Sequence, residues 1–175
     1  MPFRPEDKPR VSIITIMYNG RTQLLKKAVQ SVINQSYPYW ELILQDDHST
    51  DGTYEMAVGL AMTDKRIKVY RNKKNLGISK NRLEAFKNTT GDLIAHLDND
   101  DFLYPDAVKL MVDAFERNSE IGFAYSAALN NFSCSSSYLF SAAVLPSKLF
   151  IFSFPNEFVC IETHTLAQKK LIRNT

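Results

Sequence analysis

Three carboxylates fall within four positions at Asp98-Asn99-Asp100-Asp101, directly after the apolar run Leu93-Ile94-Ala95-His96-Leu97. Charges at that spacing repel one another, and a divalent cation or a set of bound donors relieves the repulsion. Mg2+ and Mn2+ take hard oxygen ligands, often one or two carboxylates with phosphate and water, and Asp98-x-Asp100 offers that kind of site. Two other polar clusters follow apolar runs in the same way: Tyr18-Asn19 after residues 11–17, and Asp46-Asp47 after residues 40–45. A solvated acidic turn between strand and helix is also common. Where the three clusters fall relative to one another therefore decides what they do.

The elements that must carry them are readable from period. Residues 11–17 (VSIITIM) are β-branched and almost continuously apolar, as in a strand buried on both faces. From Thr22 the period changes: Leu25, Ala28, Val29 and Val32 recur at helical spacing opposite Lys26, Lys27 and Gln30, predicting an amphipathic helix that ends before Pro38. Residues 40–45 return to strand character. Ser49, Thr50 or Asp51 can cap a helix over 53–62. A short strand over 67–71, a helix over 78–88 and a strand over 93–97 follow. Pro105 is expected at a first helical position with Asp106 on the positive end of the dipole, and Val108, Met111, Val112 and Phe115 repeat the helical spacing. Residues 122–128 supply a fifth strand.

Strand and helix thus alternate through residue 128. The expected fold class is α/β, a mainly parallel sheet flanked by helices on both faces and joined by right-handed crossovers. In such sheets ligands bind outside the carboxyl ends of the strands. Tyr18, Asp47 and the pair Asp98 and Asp100 all fall there, so an aromatic ring and two acidic groups converge on one edge from separate parts of the chain.

Composition narrows the partners. The 175 residues are 45% hydrophobic and 23% charged, enough for one domain with a sizeable core. Twenty-one basic and 19 acidic residues leave a net charge of +2, which gives no global field for nucleic acid. Neither G-x-G-x-x-G nor G-x-x-x-x-G-K-[ST] occurs, so a bound phosphate would need a metal. Cys134 and Cys160 lack metal-ligand spacing and fit a reducing, cytoplasmic compartment. Residues 1–10 carry three prolines and mixed charge without an apolar core, and are expected to be an unstructured lead rather than a signal peptide. A phosphoacceptor signalling domain would need its acidic pair after the first strand and a lysine after the fifth; Tyr18-Asn19 and Ala127-Ala128 stand there instead.

The segments VSIITIMYN (11–19), NQSY (34–37), ELILQDDHSTDGT (41–53), NLGISKNR (75–82) and LDNDD (97–101) occur in the order of a known signature. Over residues 9–128 the chain resembles the family 2 inverting glycosyltransferases of the GT-A fold, a Rossmann-like architecture. The resemblance implies that Tyr18 packs against a nucleobase, Asp47 accepts its imide N–H, Asp98 lies near the ribose, Asp100 binds a Mn2+ or Mg2+ that bridges the diphosphate, and Arg82 sits near the nucleotide or its acidic partners. A carboxylate facing N3–H suits uracil and disfavours cytosine, so the implied donor is a UDP-sugar. The implied reaction, one of polysaccharide biosynthesis, is displacement at the anomeric carbon by a hydroxyl of a saccharide or lipid-linked acceptor.

Three departures from the pattern bear on the site. Ile16 replaces the usual proline, and His48 takes a turn position where small or polar residues are usual. The family's Glu-Asp pair, whose Asp serves as base and lies well beyond the D-x-D, has no counterpart here: after residue 128 only Glu157 and Glu162 carry a carboxylate side chain, and no catalytic base is assigned. The acceptor half is expected to be truncated, which keeps open a non-catalytic nucleotide-sugar-binding fragment. Residues 129–175 form an atypical apolar tail, too interrupted by Pro146, Lys148 and Pro155 for a membrane span, and suited to dimer or peripheral membrane contact.

Overall fold

The computed structural model describes residues 8–20, 22–117, 123–126, 140–143 and 160–163. The chain runs β1 (Val11–Met17), α1 (Thr22–Ile33), β2 (Trp40–Asp46), α2 (Thr53–Ala61), β3 (Ile67–Arg71), α3 (Ile78–Lys87), β4 (Leu93–His96), α4 (Ala107–Arg117), β5 (Phe123–Ser126), β6 (Phe140–Ala143) and β7 (Cys160–Thr163). All seven strands join one sheet in the order β3-β2-β1-β4-β7-β5-β6. The first four neighbours are parallel; β7 runs antiparallel to both β4 and β5, and β6 antiparallel to β5.

The expected α/β sheet flanked by helices is observed. Val11, Ile13 and Met17 of β1 and Leu42 and Leu44 of β2 pack under the buried stripes of α1 and α4, with Ala57 of α2 beside them. Ile14, Ile43 and Ile94 point to the opposite face, where Ala85 and Phe86 of α3 cover them. Successive strand residues alternate between faces, so continuously apolar β1 and β2 need cover on both sides. No residue of β2 is solvent-exposed.

Two features differ from the expectations. The helix predicted to begin at Pro105 begins at Ala107: the Asp106 carbonyl accepts its first helical bond, from the Leu110 N–H at 2.9 Å, whereas the Pro105 carbonyl turns away to accept from the Ser36 N–H at 2.9 Å. Strands β6 and β7 lie in the segment 129–175 that the sequence left without assigned structure, and β7 pairs Leu93 with Thr163 through His96 with Cys160. Glu162 is therefore on a strand, opposite Ile94, while Glu157, Cys134, the dimer or membrane contact proposed for the tail, and residues 1–7 of the lead lie outside the described residues. No helix among the described residues is long and apolar enough to cross a membrane.

Away from the carboxyl edge, a buried carboxylate locks the sheet. Glu41 accepts from the Ser12 hydroxyl at 2.6 Å, the Lys68 ammonium at 2.7 Å, and the Thr90 N–H and hydroxyl at 2.7 and 2.9 Å. The Arg10 guanidinium lies 3.5 Å away. Burial, the largest single influence, pushes the Glu41 carboxyl up, but the bonds from Lys68, Ser12 and Thr90 together outweigh it and hold the group at about 2.

Candidate functional site

Strand register sets the site. Met17 at the end of β1 pairs with Asp46 at the end of β2, and Asp46 in turn with Arg71 at the end of β3. The residues that follow, Tyr18, Asp47 and Asn72, therefore leave the sheet at one level on three adjacent strands. On the other side of β1, Ile14 pairs with His96, the last residue of β4, so the chain leaves that strand lower and Asp98 rises beside the β1 loop. The order 3-2-1-4 reverses direction between β1 and β4, which is the switch point where ligands bind in such sheets.

The loops at this edge are bonded to one another. The Asn19 N–H donates to the Ser49 hydroxyl at 3.0 Å, the Asn19 side-chain oxygen accepts from the Thr50 N–H at 2.9 Å, and the Gly20 N–H donates to the Thr53 hydroxyl at 3.1 Å. Asn19 and His48 both take positive φ, 44° and 69°, conformations that Asn and His tolerate better than branched residues. A β-carbon on Gly20 would lie 3.0 Å from the Asn99 side-chain nitrogen, so the β1 loop and the acidic loop approach closely here and a larger residue would push the Asn99 side chain aside. The expected cap of α2 by Ser49, Thr50 or Asp51 is not observed: Gly52, at φ 89°, holds the cap position without a side-chain bond. The Asp51 carboxylate instead closes a local turn, accepting from the Thr53 hydroxyl at 2.6 Å and the Thr53 N–H at 3.1 Å, and the hydroxyl lowers the Asp51 carboxyl below its ordinary range.

Tyr18 stands half-exposed at the mouth, with its ring free to cover a planar ligand. Asp47, by contrast, is 2% exposed. Its Oδ1 accepts from the Asn72 amide at 2.7 Å and the Leu76 N–H at 2.8 Å, and its Oδ2 from the Gly77 N–H at 2.8 Å. Gly77 has φ 79°, in the region that favours glycine, which lets two successive N–H groups turn toward one carboxylate. A carboxylate can take about four donors, so Oδ2 keeps one lone pair for a ligand.

Arg82 of α3 reaches across to Asp98, with 3.8 Å between Nη2 and Oδ1 and both side chains half-exposed. The acidic loop closes through the Asp101 N–H, which donates to the Asp98 carbonyl at 3.2 Å and leaves Asp100 exposed. Among the described residues no group of three or more His, Cys, Asp and Glu side chains gathers to hold a metal. The donor set fits a hard cation that takes most of its shell from phosphate and water, with Asp100 as the available carboxylate, since Asp98 faces a guanidinium.

Asp46, unlike Asp47, is fully buried and serves the scaffold. Its Oδ2 accepts from the Ser49 N–H at 3.0 Å and pairs with the Arg71 Nε at 3.2 Å, while Arg71 lies over the Tyr54 ring and donates to the Ser49 carbonyl. Sequence reasoning did not find Asn72, Asn81 or Gln45, three amides within this edge. Asn72 and Asn81 read there as turn and helix residues, and nothing in their spacing marks them as partners of Asp47.

Comparison with known proteins settles the ancestry. The sequence model of Glycosyl transferase family 2 matches residues 12–175. The chain belongs to that family. The match extends past residue 128, where the ordered motifs stop, and takes in strands β6 and β7. Over 117 residues the chain is 37% identical to a Bacillus subtilis (strain 168) protein named teichuronic acid biosynthesis glycosyltransferase TuaG, covering 66% of this chain and 46% of that one. The family 2 chain thus spans less than half the length of this relative.

Three solved structures, of two proteins, share its fold. S. aureus TarS 1–349 superimposes with a TM-score of 0.67 at 20% identity, covering 93% of this chain and 49% of that one, and its complex with UDP-GlcNAc gives 0.59 at 22% identity, covering 73% and 37%. The mannosyltransferase PcManGT of Pyrobaculum calidifontis, in complex with GDP-Man and Mn2+, gives 0.59 at 24% identity, covering 68% and 35%. These likenesses identify the GT-A fold.

Proposed function

We propose that this chain carries the donor site of a glycosyltransferase that moves a sugar from a UDP-sugar to the hydroxyl of a saccharide or lipid-linked acceptor, with inversion. The observation that supports the reading is the strand register, which brings the loops carrying Tyr18, Asp47, Asp98 and Asp100 to the carboxyl edge of a family 2 sheet, with Arg82 of α3 3.8 Å from Asp98. Tyr18 covers the face of the base, and Asp47 Oδ2 accepts its ring N–H. Asp98, held by Arg82, takes the ribose hydroxyls, and Asp100 is the residue that would hold Mn2+ or Mg2+. Such a cation, when bound, offsets the charge that develops on the departing diphosphate.

In the transfer, the acceptor oxygen bonds to the anomeric carbon as the carbon–oxygen bond to the diphosphate breaks, and the hydroxyl proton passes to a carboxylate outside the donor site. Support from other proteins is of two kinds. TarS 1–349 binds UDP-GlcNAc, and PcManGT binds GDP-Man with Mn2+. Guanine also offers a ring N–H, so a GDP-sugar is the competing donor.

Calorimetric titration with UDP, GDP and Mn2+ tests the site. UDP binding is expected to strengthen with Mn2+, and Asp100→Ala to remove that dependence; tight, Mn2+-independent UDP binding by the variant would sink the metal assignment. Release of UDP from a panel of UDP-sugars with candidate acceptors separates transfer from binding alone.

A further inference from the structure

Between Lys65 and Leu83 the chain carries eight basic residues and no acidic one, although its net charge is only +2. The remainder of the chain is therefore net acidic, and the basic charge is local. Four of the eight are tied to carboxylates: Arg66 to Asp64, Lys68 to Glu41, Arg71 to Asp46 and Arg82 to Asp98. Lys73, Lys74 and Lys80 are exposed and enter none of the ion pairs among the described residues. Ile78, which lies between them in sequence, is apolar and yet 71% exposed.

The fold fixes where these side chains stand. Asp47 accepts from the Asn72 amide at 2.7 Å and from the Leu76 and Gly77 N–H groups at 2.8 Å, so both ends of loop 72–77 are tied to one carboxylate. Lys73 and Lys74, between those ties, are turned to solvent. Asn81 and Ala85 form the buried side of α3, which leaves Ile78 and Lys80 of its first turn outside. All four residues therefore share the carboxyl edge of the sheet, on its β3 side. The acidic loop follows β4, three strands away in the order β3-β2-β1-β4, or about 14 Å at ordinary strand spacing. One rim thus has a basic, partly apolar shoulder at one end and carboxylates at the other.

We propose that this shoulder docks on an anionic lipid surface, with Lys73, Lys74 and Lys80 among the headgroups and Ile78 inserted between them. Each lysine gains from the negative potential of such a surface, but three together hold weakly. An inserted apolar side chain supplies the second signal that stable docking takes. A soluble polyanion would engage the lysines and leave Ile78 in water, so the exposed isoleucine favours lipid. The same surface repels the acidic loop, which tilts the chain β3 side down and lifts Asp98 and Asp100 clear. This surface is separate from the apolar tail, and it stands independently of the donor-site reading because lipid docking needs no nucleotide.

Sedimentation of the full 175-residue chain with vesicles tests the surface. Mixed phosphatidylglycerol and phosphatidylcholine vesicles are expected to bind about 100-fold more tightly than phosphatidylcholine alone, with the difference shrinking as salt is raised to about 0.5 M. Lys73→Gln combined with Lys74→Gln should weaken binding to the anionic vesicles about 30-fold, and Ile78→Ser about 10-fold. All three positions are exposed, so these variants should keep the wild-type thermal midpoint. Variants that bind the vesicles as the wild type does would overturn the proposal, because docking would then lie elsewhere in the chain. So would binding to inorganic polyphosphate that matches vesicle binding and is unmoved by Ile78→Ser, and so would a lysine variant that loses UDP affinity while keeping vesicle affinity. Vesicle binding that follows these expectations in a chain that binds no UDP would support the docking surface and strike the donor-site reading alone.

Discussion

Neutralising Glu41 should destabilise the fold in a pH-dependent way whose window the structure sets. Glu41 is fully buried, and its folded-state carboxyl sits at about 2 against an ordinary value of 4.5. A carboxyl depressed on folding stabilises the protein above its unfolded value, and the contribution is lost as pH falls from about 4.5 toward about 2. The difference corresponds to about 3 kcal/mol at neutral pH, reduced to about 2 because the partners Lys68 and Arg10 are partly exposed and screened by solvent. In Glu41→Gln the new NH2 faces the Lys68 ammonium, donor against donor. Urea unfolding of both proteins from pH 7 to pH 3 reads the effect, with a midpoint lowered by about 1 M at pH 7 and a gap that narrows as the wild type becomes protonated. A gap that stays constant across that range would refute the reasoning, since packing alone carries no pH dependence.

Three further outcomes follow from the geometry. Gly91→Ala would set a β-carbon 2.7 Å from the Arg10 carbonyl and from the Ser12 hydroxyl; urea unfolding should show a loss of about 1–3 kcal/mol, and an unchanged midpoint would mean that the backbone yields. The arginine–aspartate pairs Arg71–Asp46 and Arg82–Asp98 should part ways: Arg71→Met strands the buried Asp46 charge and should cost about 2–4 kcal/mol of stability. Arg82→Ala, at a half-exposed pair, should cost under about 1 kcal/mol yet weaken UDP binding by about 10-fold. A large stability loss in Arg82→Ala with unchanged UDP binding would contradict the assignment of Arg82 to the ligand.

What the sequence revealed follows the range of the interactions involved. β1, α1 and α4 carry strong local patterns, a continuous β-branched run and two helical stripes, and each lies where its pattern predicts. Pro105 misled because it suits both a first helical position and a turn; contact with Ser36, distant in sequence, selects the turn. β6 and β7 are four residues long, and β7 pairs with β4 across about 70 positions, which no local period encodes. At the site, Tyr18, Asp47 and the acidic loop were visible because each ends an apolar run. Asn72, Asn81 and Gln45 were not, because an amide in a turn, a helix or a strand looks the same whether it faces water or a carboxylate.

The central claim is that one sheet edge holds a uridine nucleotide between Tyr18 and Asp47 with its diphosphate toward Asp100. A crystal structure of the chain with UDP and Mn2+ tests this most directly. The uracil N3–H is predicted to donate to Asp47 Oδ2, with the ring against Tyr18 and Mn2+ on Asp100. A uracil bound away from Asp47, or a Mn2+ that leaves Asp100 untouched, would contradict it.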